Sequence, residues 1–199
     1  MNINNEGYIK FNIDHAYEGI LMPDQLFLTL SEWRTKLFEY NLIGETPEGI
    51  GYGNISIKFR DGFFITGSAT GAKDKLDRED YAFVHGYNFE NNLVKSVGEV
   101  KASSESMSHA AIYESNQAIN GVIHIHSSKL WNQYINRMPT TSRTISFGTP
   151  EMAYEVKELL KNPVHYRSGV IIMGGHQDGI FTFGEDLNEA GERILKLMI

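Results

Sequence analysis

A chain of 199 residues with 41% hydrophobic and 22% charged side chains has the composition of one globular domain, large enough to build a core without staples. Its formal charge of −7 argues against nucleic acid or an anionic membrane as partner, since both call for a basic surface, but leaves room for a few cations around one phosphate. The absence of cysteine removes disulfides and thiolate metal sites, so any zinc must be held by histidine and carboxylate ligands.

The opening stretch, "MNINNEGYIKFNIDHAYEGI", has neither a basic start nor an apolar run of signal-peptide length, so it reads as mature sequence of a cytoplasmic protein. Residues 1–22 form an extension of unknown role, and 23–199 are expected to form the single domain. Pro23 opens a predicted helix over 23–43 that places Leu26, Leu30, Trp33, Leu37 and Phe38 at helical spacing and ends before Gly44. "GNISIKF" and "FFIT" alternate around Asp61-Gly62 as a hairpin. After the small-residue loop 67–73, "LDREDYAFVH" and "NNLVKS" predict a helical turn and two strands about a turn near 86–92. Ser103 or Ser104 is the expected N-cap of a helix running to about Asn116, and "GVIHIHS" reads as a buried strand. "PEMAYEVKELLKN" behind Thr149 is a helix, and "GVIIM" and "GIFTFG" flank the turn "GGHQDG" as a hairpin. Asp186 caps the last helix, with Glu189 placed for a capping box.

The chemistry concentrates in a few stretches. On a strand, positions i and i+2 share a face, so His124 and His126 project together and can meet on one ion. The pair alone is equally consistent with a strand face that happens to carry two histidines. His176 is a third candidate, because glycines at 174, 175 and 179 let its loop turn sharply. Glu105 stands behind Ser103 and Ser104 at a helix start, where N–H groups and hydroxyls form an anion pocket, although simple capping by a first-turn acid explains the same residues. His109, one turn on, is expected to support Glu105 rather than to bind metal. The "GYGN" and "TGSATG" loops have the small, polar make-up of phosphate cradles.

Taken in order, Gly53-Asn54-x-Ser56, "ITGSATG" (65–71), Ser103-Ser104-Glu105-x-x-x-His109, His124-x-His126-Ser127, "FGTPEMA" (147–153) and His176 before "GIFTFG" resemble the class II aldolase/adducin family, over residues 26–198. The resemblance implies a three-layer α/β/α domain with a mostly antiparallel central sheet. It implies a homotetramer with sites at subunit boundaries, and a zinc-dependent lyase acting on a small phosphorylated ketose or related hydroxy-carbonyl compound through a zinc-stabilised enediolate. By the same resemblance His124, His126 and His176 bind zinc or another divalent metal and Glu105 is the catalytic acid/base. Asn54, Thr70, Gly71, Ser103 and Ser104 hold the substrate phosphate, with Ser68 as an alternative to Thr70. Relatives of the same kind include ribulose-phosphate 4-epimerases, methylthioribulose-phosphate dehydratases and non-catalytic adducin-like binding modules. Two departures stand out. The stretch between His126 and "FGTPEMA" is short and assigns no catalytic tyrosine, Tyr134 included. "GGHQDG" sets two residues between His176 and the next glycine.

Overall fold

In the computed structural model, which describes residues 9–199, the chain runs through β1 (Asn12–Ala16), α1 (Asp24–Glu39), β2 (Gly44–Glu45), β3 (Gly51–Tyr52), β4 (Asn54–Phe59), β5 (Gly62–Thr66), a 3₁₀ turn (Arg78–Asp80), β6 (Tyr81–Asn88) and β7 (Leu93–Val97). It continues through α2 (Ser106–Ser115), β8 (Gly121–His126), α3 (Ser128–Tyr134), α4 (Pro150–Leu160), α5 (Pro163–Ser168), β9 (Val170–Ile172), β10 (Gly179–Gly184) and α6 (Leu187–Leu197). Eight strands form one sheet in the order β1-β7-β6-β5-β4-β8-β10-β9, and β2 and β3 make a separate pair. None of the helices among the described residues is long and apolar enough to cross a membrane.

The sheet corrects the expectation of a mostly antiparallel one: it is mixed. The hairpin and meander connections pair antiparallel, but β1 lies parallel to β7, with Asn12 opposite Leu93 and Ala16 opposite Val97. The physical reason lies in the extension 1–22, whose polar "NIDHA" strand adds to the sheet edge from far along the chain and needs no hairpin to reach it.

Side-chain alternation sorts the core into two clusters. Ile55 and Ile57 of β4, Ile123 and Ile125 of β8 and Ile180 of β10 pack with Leu30, Trp33 and Leu37 of α1 and with Leu187, Ala190 and Ile194 of α6. Val122, Phe181 and Phe183, from the intervening positions, pack with Met107, Ala110 and Ala111 of α2 and with Met152, Ala153 and Val156 of α4. His124 and His126 share the parity of Val122 and so lie on the α2 side of β8. Asn54 and Ser56 of β4 alternate with Ile55 and Ile57 and fall on that same side.

Some helix ends and caps differ from the predicted ones. Helix α1 stops at Glu39, because Asn41 takes a left-handed φ of 55° and Leu42 N–H turns back to the Leu37 carbonyl. Helix α2 is capped by Glu105, with neither Ser103 nor Ser104 in the cap position. At α6, Asp186 accepts from Glu189 N–H as expected, but the Glu189 carboxylate reaches the Glu185 N–H one residue further out. The short helices α3 and α5 and the β2–β3 pair have no counterpart among the predicted elements.

The α2 side of the sheet buries a histidine completely. His109 is 0% exposed, and burial lowers its pKa from the usual 6.5 to about 3. In the unfolded chain it titrates near 6.5, so below that pH protons bind preferentially to the unfolded state. The stability that goes with a neutral His109 is therefore complete above about pH 6.5 and is lost as pH falls toward 3, at about 1.4 kcal/mol per pH unit. Urea unfolding in the presence of EDTA at pH 7, 6 and 5 should show this slope, and His109→Asn should lack that part of it. An equal slope in the variant would assign the acid sensitivity elsewhere.

Candidate active site

The three histidines expected from the sequence converge. Ligand nitrogens of His124, His126 and His176 all lie within 4.8 Å of one another, and His124 Nε2 is 3.2 Å from His126 Nε2. Two nitrogens on one tetrahedral zinc, each about 2.0–2.1 Å from it, would stand about 3.4 Å apart. His124 Nδ1 lies 3.3 Å from the Ile180 carbonyl; donating there leaves Nε2 unprotonated and aimed at the cluster. Burial first, then the neighbouring imidazoles of His126, His176 and His109, pushes the His124 pKa well below 6.5, so this ring is neutral, as a metal ligand must be. The turn brings in His176 through Met173 N–H to the Gly179 carbonyl and Gly179 N–H to the His176 carbonyl. A Cβ on Gly179 would sit 3.1 Å from both His124 Cε1 and His176 Nδ1. The loop glycines thus serve close approach, and none of 174, 175 and 179 has a positive φ.

Glu105 faces this cluster. It is 2% exposed; its Oε2 accepts from the Ser108 hydroxyl at 2.8 Å. Its Oε1 is buried with no hydrogen bond among the described residues and lies 3.4 Å from His176 Nδ1. A buried carboxylate oxygen left open beside three converging imidazoles fits a cation at this point. Phe147 stacks on His176 at 4.1 Å between centroids, and Lys10 lies 3.5 Å from the centroid of the Phe147 ring.

A cavity of about 230 Å³ joins these groups to the loops. Asn54, Ser68, Thr70, Gly71, Ser103, Ser104, Glu105, His124 and His176 all line it. His126 lines a neighbouring cavity with Tyr52, Ser127 and Asp178. The loop 67–73 is shaped by Ala69 at φ 61° and by the Thr70 hydroxyl, which donates to the Gly67 carbonyl at 2.8 Å. Gly71 allows the closest approach: a Cβ there would collide with the Gly44 carbonyl and the Gly51 backbone.

His109 does not support Glu105 through its ring. Only its backbone N–H reaches the Glu105 carbonyl, at 3.0 Å. Its Nε2 donates to Asn54 Oδ1 at 2.6 Å, Ser56 Oγ lies 2.6 Å from its Nδ1, and Tyr113 hydroxyl lies 2.7 Å from Ser56 Oγ. With Nε2 donating, Nδ1 must accept from Ser56, which in turn accepts from Tyr113. This buried chain fixes the Asn54 amide, leaving its NH₂ to the cavity.

Three neighbours of the site carry no strong signal in the sequence. Tyr52 lines both cavities, with its ring 5.5 Å from that of His126. Phe147 falls in the quoted "FGTPEMA", but only the fold stacks it on His176. Arg34 lies on the buried face of α1 beneath the 67–73 loop. Tyr134 is elsewhere, its hydroxyl donating to the Leu197 carbonyl at 3.1 Å.

The family model for the class II aldolase and adducin N-terminal domain matches residues 47–198. The chain belongs to this family. An L-fuculose phosphate aldolase of Methanococcus maripaludis strain C5 is 29% identical over 153 residues, covering 69% of this chain and 75% of that protein. A second, from another strain of the same species, is 30% identical over 152 residues, covering 69% and 76%. Among solved structures, L-fuculose-1-phosphate aldolase from Thermus thermophilus superposes with a TM-score of 0.65 at 23% identity, covering 88% of this chain and 90% of that one. A sugar-phosphate aldolase from Thermotoga maritima gives 0.62 at 15% identity, covering 87% and 90%. These likenesses establish an α/β fold similar to that of class II aldolases.

The trihistidine geometry makes a direct prediction. Purified protein should carry about one divalent metal ion per chain by plasma mass spectrometry, and His124→Ala, His126→Ala and His176→Ala should each lose most of it. Metal retained at the unsubstituted level in His176→Ala would remove that residue from the site.

Proposed function

We propose that this chain is a metal-dependent lyase of the class II aldolase type, acting on a small phosphorylated ketose or related hydroxy-carbonyl compound. The observation that carries this reading is the open Glu105 carboxylate oxygen, 3.4 Å from His176, at the wall of a cavity shared with the serine pair and the 67–73 loop. His124, His126 and His176 would hold the metal, zinc or another divalent ion. Once bound, it would supply Lewis acidity toward the substrate's carbonyl and hydroxyl oxygens.

The chain's own residues account for the rest. The N–H groups and hydroxyls about Ser103, Ser104, Gly71 and Asn54 bind the phosphate and so fix the reacting carbons against Glu105. Because the Thr70 hydroxyl hydrogen is committed to Gly67, Ser68 is the loop hydroxyl better placed to donate to the anion. In the condensation direction Glu105 takes a proton from the carbon beside the carbonyl. The C–H electron pair then becomes the nucleophile that forms the new carbon–carbon bond to an aldehyde, whose C=O π pair moves onto its oxygen, and that oxygen takes a proton from water to become a hydroxyl. In cleavage that hydroxyl gives its proton to water, the carbon–carbon bond breaks as the aldehyde C=O forms, and Glu105 returns its proton to the carbon beside the carbonyl. Burial, together with the Ser108 hydroxyl on Oε2, holds the carboxylate in one orientation for both directions. The L-fuculose phosphate aldolases to which the chain is similar support a sugar-phosphate substrate.

The same reading includes a three-layer domain over 23–199, supported by the two core clusters, with Asn12–Ala16 of the N-terminal extension adding β1 to its sheet. It also includes a homotetramer, supported by the exposed apolar side chains Tyr17, Leu21 and Leu28. Light scattering should therefore return a mass several times 22.5 kDa, and a strict monomer at micromolar concentration would contradict the assembly.

Glu105→Gln separates binding from chemistry. It should keep the fold and most phosphate affinity, yet slow solvent deuterium exchange into dihydroxyacetone phosphate by about 10²- to 10⁴-fold. Equal exchange rates in the two proteins would show that Glu105 is not the base.

A further inference from the structure

Arg34 is 1% exposed on the face of α1 that also buries Leu30, Trp33 and Leu37. A guanidinium in such a place needs acceptors for its hydrogens and a countercharge. It has acceptors: Nη2 donates to the carbonyls of Thr70 at 3.3 Å, Gly71 at 3.1 Å and Lys73 at 2.8 Å. Nη1 makes no hydrogen bond among the described residues, and no carboxylate among them is recorded in an ion pair with Arg34. The nearby buried acid, Asp80, is already bound by Lys73 at 2.6 Å, and Asp74 is exposed. Arg34 thus shares the field of Asp80 with Lys73, and Asp74, which also acts on it, is screened by solvent.

The cavity on the other side of the same loop has the opposite imbalance. Among the described residues its lining includes Glu45 and Glu105 but no lysine or arginine. Thr70 and Gly71, whose carbonyls Arg34 draws down, belong to that lining. In a trans peptide the carbonyl and the following N–H point in opposite directions. Drawing these two carbonyls to the guanidinium therefore turns the N–H groups of Gly71 and Ala72 away from it, and of these two residues Gly71 lines the cavity. One layer of peptide separates a buried cation lacking a paired anion from a pocket that offers neutral donors to an anion.

We propose that Arg34 is the positioning residue for the anionic end of the substrate, aiming the loop's N–H groups and supplying, through the loop, the countercharge that the cavity lining lacks. The inference rests on the sugar-phosphate reading above and adds to it the source of anion selectivity. Arginine suits the task better than lysine because its guanidinium keeps its charge in a buried place where an ammonium readily gives up its proton.

The test is calorimetric titration of the metal-loaded protein with inorganic phosphate and, separately, with the uncharged ketone dihydroxyacetone. A cation within several ångströms of a dianion at partly buried sites supports an expected loss of about tenfold or more in phosphate affinity for Arg34→Met. Dihydroxyacetone affinity should change by no more than about twofold, and Arg34→Lys should recover part of the phosphate binding. A merely structural brace would weaken both ligands together. Should either variant fail to fold, ¹⁵N spectra of the unsubstituted protein serve instead: the Arg34 guanidinium signals should shift on phosphate addition and saturate with the calorimetric affinity. Phosphate binding to the unsubstituted protein that is unaltered in Arg34→Met, equal weakening of both ligands, or guanidinium signals blind to phosphate would overturn the role of Arg34 alone. No phosphate binding by the unsubstituted protein would overturn the sugar-phosphate reading and this inference with it.

Discussion

The site depends on the register of one strand. β8 lies between β4 and β10, with His124 opposite Asn54 on one side and Phe181 on the other, and His126 opposite Gly179. Since side chains alternate, a slip of one residue would send both histidines toward α1 and α6 and bring Ile123 and Ile125 into the cavity. The apolar demands of the two core clusters forbid that slip. Packing therefore sets the chemistry: the same alternation that buries isoleucines on one face presents imidazoles on the other, and the tight turn after β9 returns His176 to meet them.

Around this strand the fold keeps opposite charges in separate compartments. The carboxylate of Glu105 and the imidazoles of His124 and His176 occupy one end of the cavity in a buried setting, and half-buried His126 meets them from the neighbouring cavity. The end proposed to take the anion is built from backbone and neutral side chains, with the Arg34 guanidinium behind the loop. Such an arrangement keeps a lysine or arginine head group from competing with the histidines for Glu105, and lets an anion be recognised by preorganised donors. The buried series from Tyr113 through Ser56 and His109 to Asn54 serves the same end, fixing one donor amide without placing a mobile charge in the pocket.

Much of this was legible in the sequence, because local patterns carry it. Helices α1, α4 and α6 are written in apolar spacing and caps, and the His-x-His pair on β8 follows from period two. The ordered motifs also brought all the expected phosphate-binding residues to one cavity. What escaped depends on contacts between distant segments. The strand "NIDHA" is too polar to announce itself and exists by pairing with β7, which made the sheet mixed. Ser103 looks like an N-cap, yet its carbonyl takes the N–H and hydroxyl of Ser106, which delays the helix and leaves Glu105 in the cap position. His109 at i+4 from Glu105 pointed to a local pair, but its ring is satisfied across the interior by β4. Arg34 reads as one polar residue in an amphipathic helix, and only the position of the 67–73 loop gives it meaning.

Three imidazoles and an anion pocket are proposed to converge on one ion beside Glu105. Anomalous diffraction from crystals grown with zinc and inorganic phosphate tests this most directly. A single strong zinc peak is expected about 2.0–2.1 Å from nitrogens of His124, His126 and His176, with phosphate against Ser103, Ser104 and Gly71 in the same cavity. A zinc peak held by other residues, or a phosphate bound outside that cavity while the zinc site is filled, would contradict it.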